Sequence, residues 1–302
     1  MRYSPSPPHR LFRRFVLSVE FNGVRGALSH SWRRLFSSLK NHGVSGTFER
    51  AFVKAPAPPQ SPVRSSPHPF DLEKGTDTGG WISGADLAGS TLSALYTTIY
   101  LGIAPSALRA ALAASPIARG ESTFVDIGCG KGRALLIAAE FPFRRLLGVE
   151  IAPELCAIAN ANLALNPDWK SRISVINGDA STFVYPEGPL FIFLYTPFLL
   201  SMVRRFLANL EGQLRRSPLP AYLLYANLFE TEADAMAESS YPDTIEASSL
   251  FQRTFDTVYP LAPDEVMAER PSAIFLRFVL YRTGLADLEA AVMRKLIWPF
   301  RI

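Results

Sequence analysis

Cysteine is almost absent. The only two, Cys129 and Cys156, form no C-x-x-C pair and no even framework, which excludes a disulfide scaffold and a cysteine-ligated zinc site and suits a reducing compartment, expected to be the cytoplasm. Histidine is scarce in a more telling way, because His9, His30, His42 and His68 all precede residue 69. The body of the chain therefore has no imidazole for a Ser-His-Asp triad, a Cys-His pair or a histidine-bound metal, and no metal site is expected. Long apolar runs are also missing. The early stretch Phe15–Val19 is short and holds a serine, and the uncharged stretch between Asp86 and Arg109 is broken by Gly89, Gly102, Pro105 and several Ser and Thr residues. Neither a secretory signal nor a transmembrane span is expected.

What the chain does have is enough apolar material for a core. Its 302 residues, 48% hydrophobic and 19% charged, suit one large domain with appendages and exclude a disordered or collagen-like chain. Charge is unevenly spread. Residues 1–65 carry eleven Arg or Lys against Glu20 and Glu49, a net of +9, while residues 66–302 sum to −5. The basic character thus belongs to an arm, and a basic arm suits an acidic partner or an anionic surface, or serves solubility alone. Its Arg-rich, acid-poor start is common to organelle transit peptides and to short amphipathic helices, and the helical reading is preferred.

The arm reads as one or two short basic helices to about residue 54, followed by a Pro-rich linker over 55–69. Residues 71–84 carry a loop signature in Gly75, Gly79, Gly80 and Gly84, and helical patterns follow over 86–101 and 105–115. From residue 122 β-like runs alternate with helical ones, the mark of a parallel sheet covered on both faces. STFVDI, LLGVEI, ISVIN, PLFIFLY and AYLLYAN read as strands. Helices are expected over GRALLIAAE, from Pro153 onward, over 199–216 and near 231–239. Two further strands are expected around 250–258 and 273–282, and the last twenty residues pattern as an amphipathic helix.

The most informative segment is VDIGCGKGR, where Asp126 ends a strand and Gly128, Gly130 and Gly132 lead into a helix. Such glycines let backbone approach a ligand, and the helix start offers free N–H groups. A dinucleotide fingerprint, G-x-G-x-x-G, would place glycine at 133, where the chain has Arg133. A P-loop would follow its lysine with a hydroxyl residue, but Lys131 precedes Gly132.

What remains is an acidic-x-G-x-G-x-G form, and here the sequence resembles the class I, seven-stranded, Rossmann-like S-adenosylmethionine-dependent methyltransferases over about residues 85–282. The resemblance implies an α/β fold: a mainly parallel seven-stranded sheet with helices on both faces and a terminal antiparallel strand at one side, plus the helical basic N-terminal arm. It implies that the Asp126, Gly128, Gly130 and Gly132 motif packs against the methionine part of S-adenosylmethionine, with the acid reaching the amino group directly or through water. Glu150, with Ile151 beside it, is the implied partner of the ribose hydroxyls, since a carboxylate accepts from two O–H groups at once. Asp179 and Ala180 are implied at the adenine, though Asp179 also suits a turn, and Tyr195 joins the cofactor-binding set.

After the fourth strand come Tyr195, Thr196, Pro197 and Phe198, where amino-methylating relatives carry Asn or Asp, Pro, Pro and an aromatic residue. The resemblance nominates Thr196, Pro197 and Phe198 as acceptor-binding residues, against a plain reading in which Pro197 stops the strand and Phe198 is core. Four segments are expected: an arm and linker (1–69), a loop and helices covering the cofactor (70–121), the methyltransferase core (122–283) and a C-terminal helix (284–302). The implied activity is methyl transfer to an unknown acceptor, with a protein side-chain nitrogen (lysine-like) ahead of a small molecule. Nucleic acid comes third, because the body is acidic. A non-catalytic or NAD-binding Rossmann-like protein is the alternative from other classes.

Overall fold

The computed structural model describes residues 68–83, 99–169, 171–196, 198–265 and 272–284. The expected arm helices, most of the linker, the C-terminal helix, Tyr96 and Pro197 lie outside the described residues.

The described chain opens on a short helix, α1 (Pro69–Lys74), where a linker end and a loop were expected. Two local signals explain it: the His68 Nδ1 accepts from the Phe70 N–H at 3.1 Å, and Gly75 ends the helix in a left-handed conformation at φ 69°. The predicted helix over 86–101 is likewise corrected at its end. Residues 99–101 form a strand, β2 (Ile99–Leu101), paired antiparallel with β1 (Trp81–Ser83), and residues 84–98 lie outside the described set. Helix α2 (Pro105–Ala114) follows as expected, with proline in its first turn.

The core is a seven-stranded sheet ordered β5-β4-β3-β6-β7-β9-β8. Its strands are β3 (Thr123–Ile127), β4 (Arg145–Glu150), β5 (Ile173–Asn177), β6 (Leu190–Tyr195), β7 (Ala221–Phe229), β8 (Phe251–Pro260) and β9 (Phe275–Thr283). The first five are parallel, and β9 runs antiparallel between β7 and β8. The crossover helices are α3 (Arg133–Ala138), α4 (Pro153–Ala164) and α5 (Leu200–Arg216), followed by α6 (Glu232–Ala237) and α7 (Ser240–Glu246). Helix α7 has no counterpart in the sequence reading, and its seven residues, about two turns, carry too little periodicity to be seen.

Successive strand residues feed opposite faces, as the pleat requires. Phe124, Leu146, Phe191, Phe193 and Leu224 pack with α2 and α3. Val125, Ile192, Leu194, Leu223 and Tyr225 pack with α5 and α7. Helix α5 buries Met202, Val203, Phe206, Leu207, Leu210 and Leu214, each worth about 1.5–3 kcal/mol of gross burial. The chain moves from β3 to β4 and β5 on one side, then to β6 and β7 on the other. A crevice therefore opens beyond the carboxyl ends of β3 and β6, the usual ligand position in such a sheet.

Candidate functional site

The glycine loop follows β3 into that crevice. Gly128, Gly130 and Gly132 adopt φ of 76°, 53° and 88°, all in the left-handed region. At Gly130 a side chain is excluded twice, by this conformation and because the Tyr100 ring lies where a Cβ would stand. The Gly128 N–H donates to the Val149 carbonyl at 2.8 Å, pinning the loop to the end of β4.

Two carboxylates meet beside the loop. Glu150, 5% exposed at the end of β4, accepts from the Gly130 N–H and the Ala152 N–H, each at 2.9 Å. Burial raises its pKa, and those N–H groups oppose the rise. The carboxylate of Asp126, 3% exposed near the end of β3, accepts no hydrogen bond from the described residues. Burial first, and the Glu150 charge second, push its pKa up to about 8.

A cleft of about 850 Å³, counting the space open at its mouth, gathers most of the predicted residues. Gly128, Glu150, Ile151, Asp179, Ala180, Tyr195, Thr196 and Phe198 all line it. Asp126 opens instead onto an adjoining recess of about 290 Å³ that shares Tyr100, Leu101, Gly128 and Tyr195 with the cleft. Gly130 and Gly132 line neither: Gly130 is turned to Glu150 under Tyr100, and Gly132 caps α3. Asp179 does form the turn that was one of its two readings, its Oδ1 accepting from the Ser181 N–H (2.8 Å) and hydroxyl (2.7 Å), yet it also faces the cleft. Thr196 stands at φ 32°, an uncommon conformation for a β-branched residue. Cys129 is buried and its thiol is pushed far up by burial, so it is no thiolate nucleophile.

The sequence reading missed two features. Asn227 and Leu228 near the end of β7, with Met202 of α5, complete the wall beyond Tyr195. Asn227 leaves a signal, as an amide in an otherwise apolar run, but its nearness to Tyr195 depends on strand register. The second is Arg133, buried to 3%, whose guanidinium donates to the Thr78 hydroxyl (2.8 Å), the Ile103 carbonyl (3.3 Å) and the Asp71 carboxylate (3.4 Å). Asp71 in turn accepts from the Thr78 N–H and the Thr76 and Thr78 hydroxyls. Lys131 ties Asp77 (2.7 Å) and the Gly79 carbonyl (2.9 Å) to the loop, and the Tyr100 hydroxyl donates to the Thr78 carbonyl at 2.6 Å. Residues 68–83 thus strap the outside of the glycine loop. Gly102 leaves the space that the Arg133 guanidinium fills. Trp81 lines neither cavity, whereas Tyr100 lines both.

The chemistry of the donor set fits S-adenosylmethionine. An unpaired buried carboxylate asks for a cationic N–H donor, as an amino acid ammonium provides, and Glu150 keeps lone pairs facing a cleft in which hydroxyl groups can meet them.

Residues 125–216 match a family model described as a methyltransferase domain. No curated protein matches the chain. Solved structures similar to it include a candidate RNA methyltransferase from Pyrococcus horikoshii, with 17% identity over 59% of this chain and 83% of that one at a TM-score of 0.41. They also include the magnesium protoporphyrin IX methyltransferase of Synechocystis PCC 6803 with bound S-adenosylhomocysteine (10%, 60% and 81%, TM-score 0.42). A third is the N-methyltransferase NodS from Bradyrhizobium japonicum (14%, 59% and 92%, TM-score 0.40). Among the described residues no helix is long and apolar enough to cross a membrane.

Proposed function

We propose, proceeding from the class I, S-adenosylmethionine-dependent methyltransferase domain that this chain carries, that it methylates a protein side-chain nitrogen of the lysine kind. In this reading Asp126 takes the cofactor's amino group, Glu150 and Ile151 the ribose, and Asp179 and Ala180 the adenine, with Gly128 and Tyr195 lining the path between them. Gly130 and Gly132 shape the loop, while Thr196, Pro197 and Phe198 receive the acceptor. The segment 70–121 covers the cofactor, 122–283 forms the catalytic core, and the basic arm 1–69 meets an anionic partner. Both cysteines are free and buried, which suits a reducing compartment, the cytoplasm in this reading.

When bound, S-adenosylmethionine supplies an electrophilic methyl group on sulfur, so the chain needs chiefly to align the acceptor and exclude water. Such alignment is worth ~7–11 kcal/mol of barrier. The observation that carries the reading is the meeting, in one crevice, of a buried unpaired Asp126, a backbone-oriented Glu150 and an uncharged wall at Tyr195, Thr196 and Phe198. A nitrogen attacks only with its lone pair free, and an uncharged wall favours that neutral form. A cleft lined by apolar and aromatic side chains with a few polar groups is also the usual form of a small-molecule site, which supports a metabolite acceptor as the competing reading.

Calorimetry with S-adenosylhomocysteine and with NAD tests the cofactor assignment, and only the first should bind. Incubation with methyl-labelled cofactor and fractionated cell extract tests the acceptor. Label in the protein fraction supports the proposal, whereas label confined to metabolites selects the competing reading.

A further inference from the structure

We infer that Asn227 is the side chain that orients the methyl acceptor and that this end of the cleft takes the acceptor in its uncharged form. The inference rests on the methyltransferase reading above and adds to it a residue and a protonation state.

The position comes from register. Ala226 of β7 pairs with Tyr195 of β6, so Asn227 stands one residue further on, level with Thr196, at the carboxyl end of the neighbouring strand. It lines the same cleft as Tyr195, Thr196, Phe198 and Met202. Its Oδ1 accepts from the Leu228 N–H at 2.8 Å, which fixes the carboxamide at the strand end. The carboxamide also meets the Tyr225 phenol, and its remaining lone pair and N–H group can still accept from or donate to a ligand.

The charge distribution gives the second half. The cleft-lining carboxylates, Glu150 and Asp179, follow β4 and β5. In the order β4-β3-β6-β7 three strand spacings, about 14 Å, separate β4 from Asn227. Asp126 on β3 is two spacings, about 10 Å, away. Across the strand pair stands an ion pair. Arg277 of β9 lies directly across from Asn227, buried, and its guanidinium is held by Asp256 at 2.6 and 2.7 Å and by the Ala235 and Glu238 carbonyls. The other titratable groups on this face are Glu238, whose carboxylate accepts from the Tyr241 N–H at 3.2 Å and whose charge adds to burial in raising the Tyr225 phenol, and the phenols themselves. Tyr225 is fully buried with its pKa raised well above the ordinary range, and it stacks on Tyr241 at 5.3 Å. The Tyr241 hydroxyl donates to the Phe198 carbonyl. An ammonium entering here would lose water and find the nearby carboxylates already engaged, Asp256 by the Arg277 guanidinium and Glu238 by the Tyr241 N–H, so a bound amine is driven to its neutral, nucleophilic form.

The test uses the full chain, methyl-labelled S-adenosylmethionine and the extract fraction that accepts label. Asn227→Leu removes the amide at similar volume and should lower the initial rate of labelling at least tenfold, while S-adenosylhomocysteine binding stays within twofold. Asn227→Asp keeps the shape and adds a carboxylate that favours the ammonium, so the rising limb of the rate against pH should move to higher pH. Asn227→Ser replaces either variant if that variant no longer binds S-adenosylhomocysteine. Wild-type labelling rates in Asn227→Leu, or an unmoved limb in Asn227→Asp, overturn the inference alone. If the unmodified chain binds S-adenosylhomocysteine but labels no fraction, the methyl-transfer reading falls and takes the inference with it.

Discussion

The two ends of the cleft are held in different ways. Under the glycine loop the chain is fixed by charge and backbone: Glu150 takes two N–H groups, Arg133 and Asp71 pair in the interior, and Lys131 reaches Asp77. Beyond Tyr195 the wall is fixed by packing and one phenol, with Phe198 tilted against Phe206 and its carbonyl accepting from Tyr241 at 2.7 Å. Charged, directional contacts specify one arrangement and tolerate little change. Apolar walls tolerate substitution of similar volume, so under the proposed function the second end is where acceptor preference can drift while the first stays the same.

The largest effect should come from the first end. Arg133→Ala leaves the Asp71 carboxylate, 6% exposed, without its cation and removes donors to Thr78 and Ile103. Breaking such a buried pair costs about 3–5 kcal/mol. Urea denaturation should show a loss of that size. A loss below about 1 kcal/mol would mean that packing of Phe70 and Tyr100 holds the strap, and the contrast between the two ends would collapse.

Next comes Asp126→Asn, whose two effects have opposite signs. The folded pKa of Asp126 lies above its unfolded value, so between the usual carboxylate range and about 8 the folded state holds a proton that the unfolded state has released. The stability of the ligand-free protein should therefore fall as pH rises through that window, and the asparagine variant should lose that slope. At pH 8 the variant should melt a few degrees higher than the parent, with no gain near pH 4. S-adenosylhomocysteine should bind it at least tenfold more weakly. In the parent, binding should release a proton below pH 8 and tighten from pH 6 to 8, which calorimetry in two buffers of different ionisation enthalpy measures. Equal melting of both proteins at pH 8 would show Asp126 to be ionised and solvated without ligand.

The difference between the ends also explains what could be read from the sequence. The first end is local: Asp126, Gly128, Gly130 and Gly132 lie within seven residues, and Glu150 and Asp179 each close a visible apolar run. The strands were legible because Phe124, Val125 and Ile127, and Leu190–Leu194, put apolar residues on both faces, as buried parallel strands must. Arg133 was legible only as a departure from a dinucleotide pattern, because its partners Asp71 and Thr78 lie 62 and 55 residues away. The strand at Ile99–Leu101 was read as the end of a helix, since three residues show no period of two and their partner Trp81–Ser83 lies across a long intervening segment. Asn227 was passed over for the same reason, as the parallel register of β6 and β7 is a tertiary fact.

The smallest effect belongs to the second end. Tyr241→Phe removes one hydroxyl and the hydrogen bond to the Phe198 carbonyl, while leaving the ring stacked on Tyr225. A single bond of this kind contributes about 0.5–1.5 kcal/mol, so stability should fall by no more than that. Tyr241 lines neither cavity and acts on the site through Phe198, which makes it a positioning residue. Cofactor affinity should stay within twofold, since the groups around Glu150 and Asp126 do not depend on this contact. Methyl transfer to the accepting fraction should drop several-fold, because Phe198, and Thr196 with its uncommon φ, are then free to relax away from the proposed acceptor position. A fall in cofactor affinity as large as the fall in transfer would show that the two ends act as one unit, and that packing at β6 and β7 reaches the glycine loop.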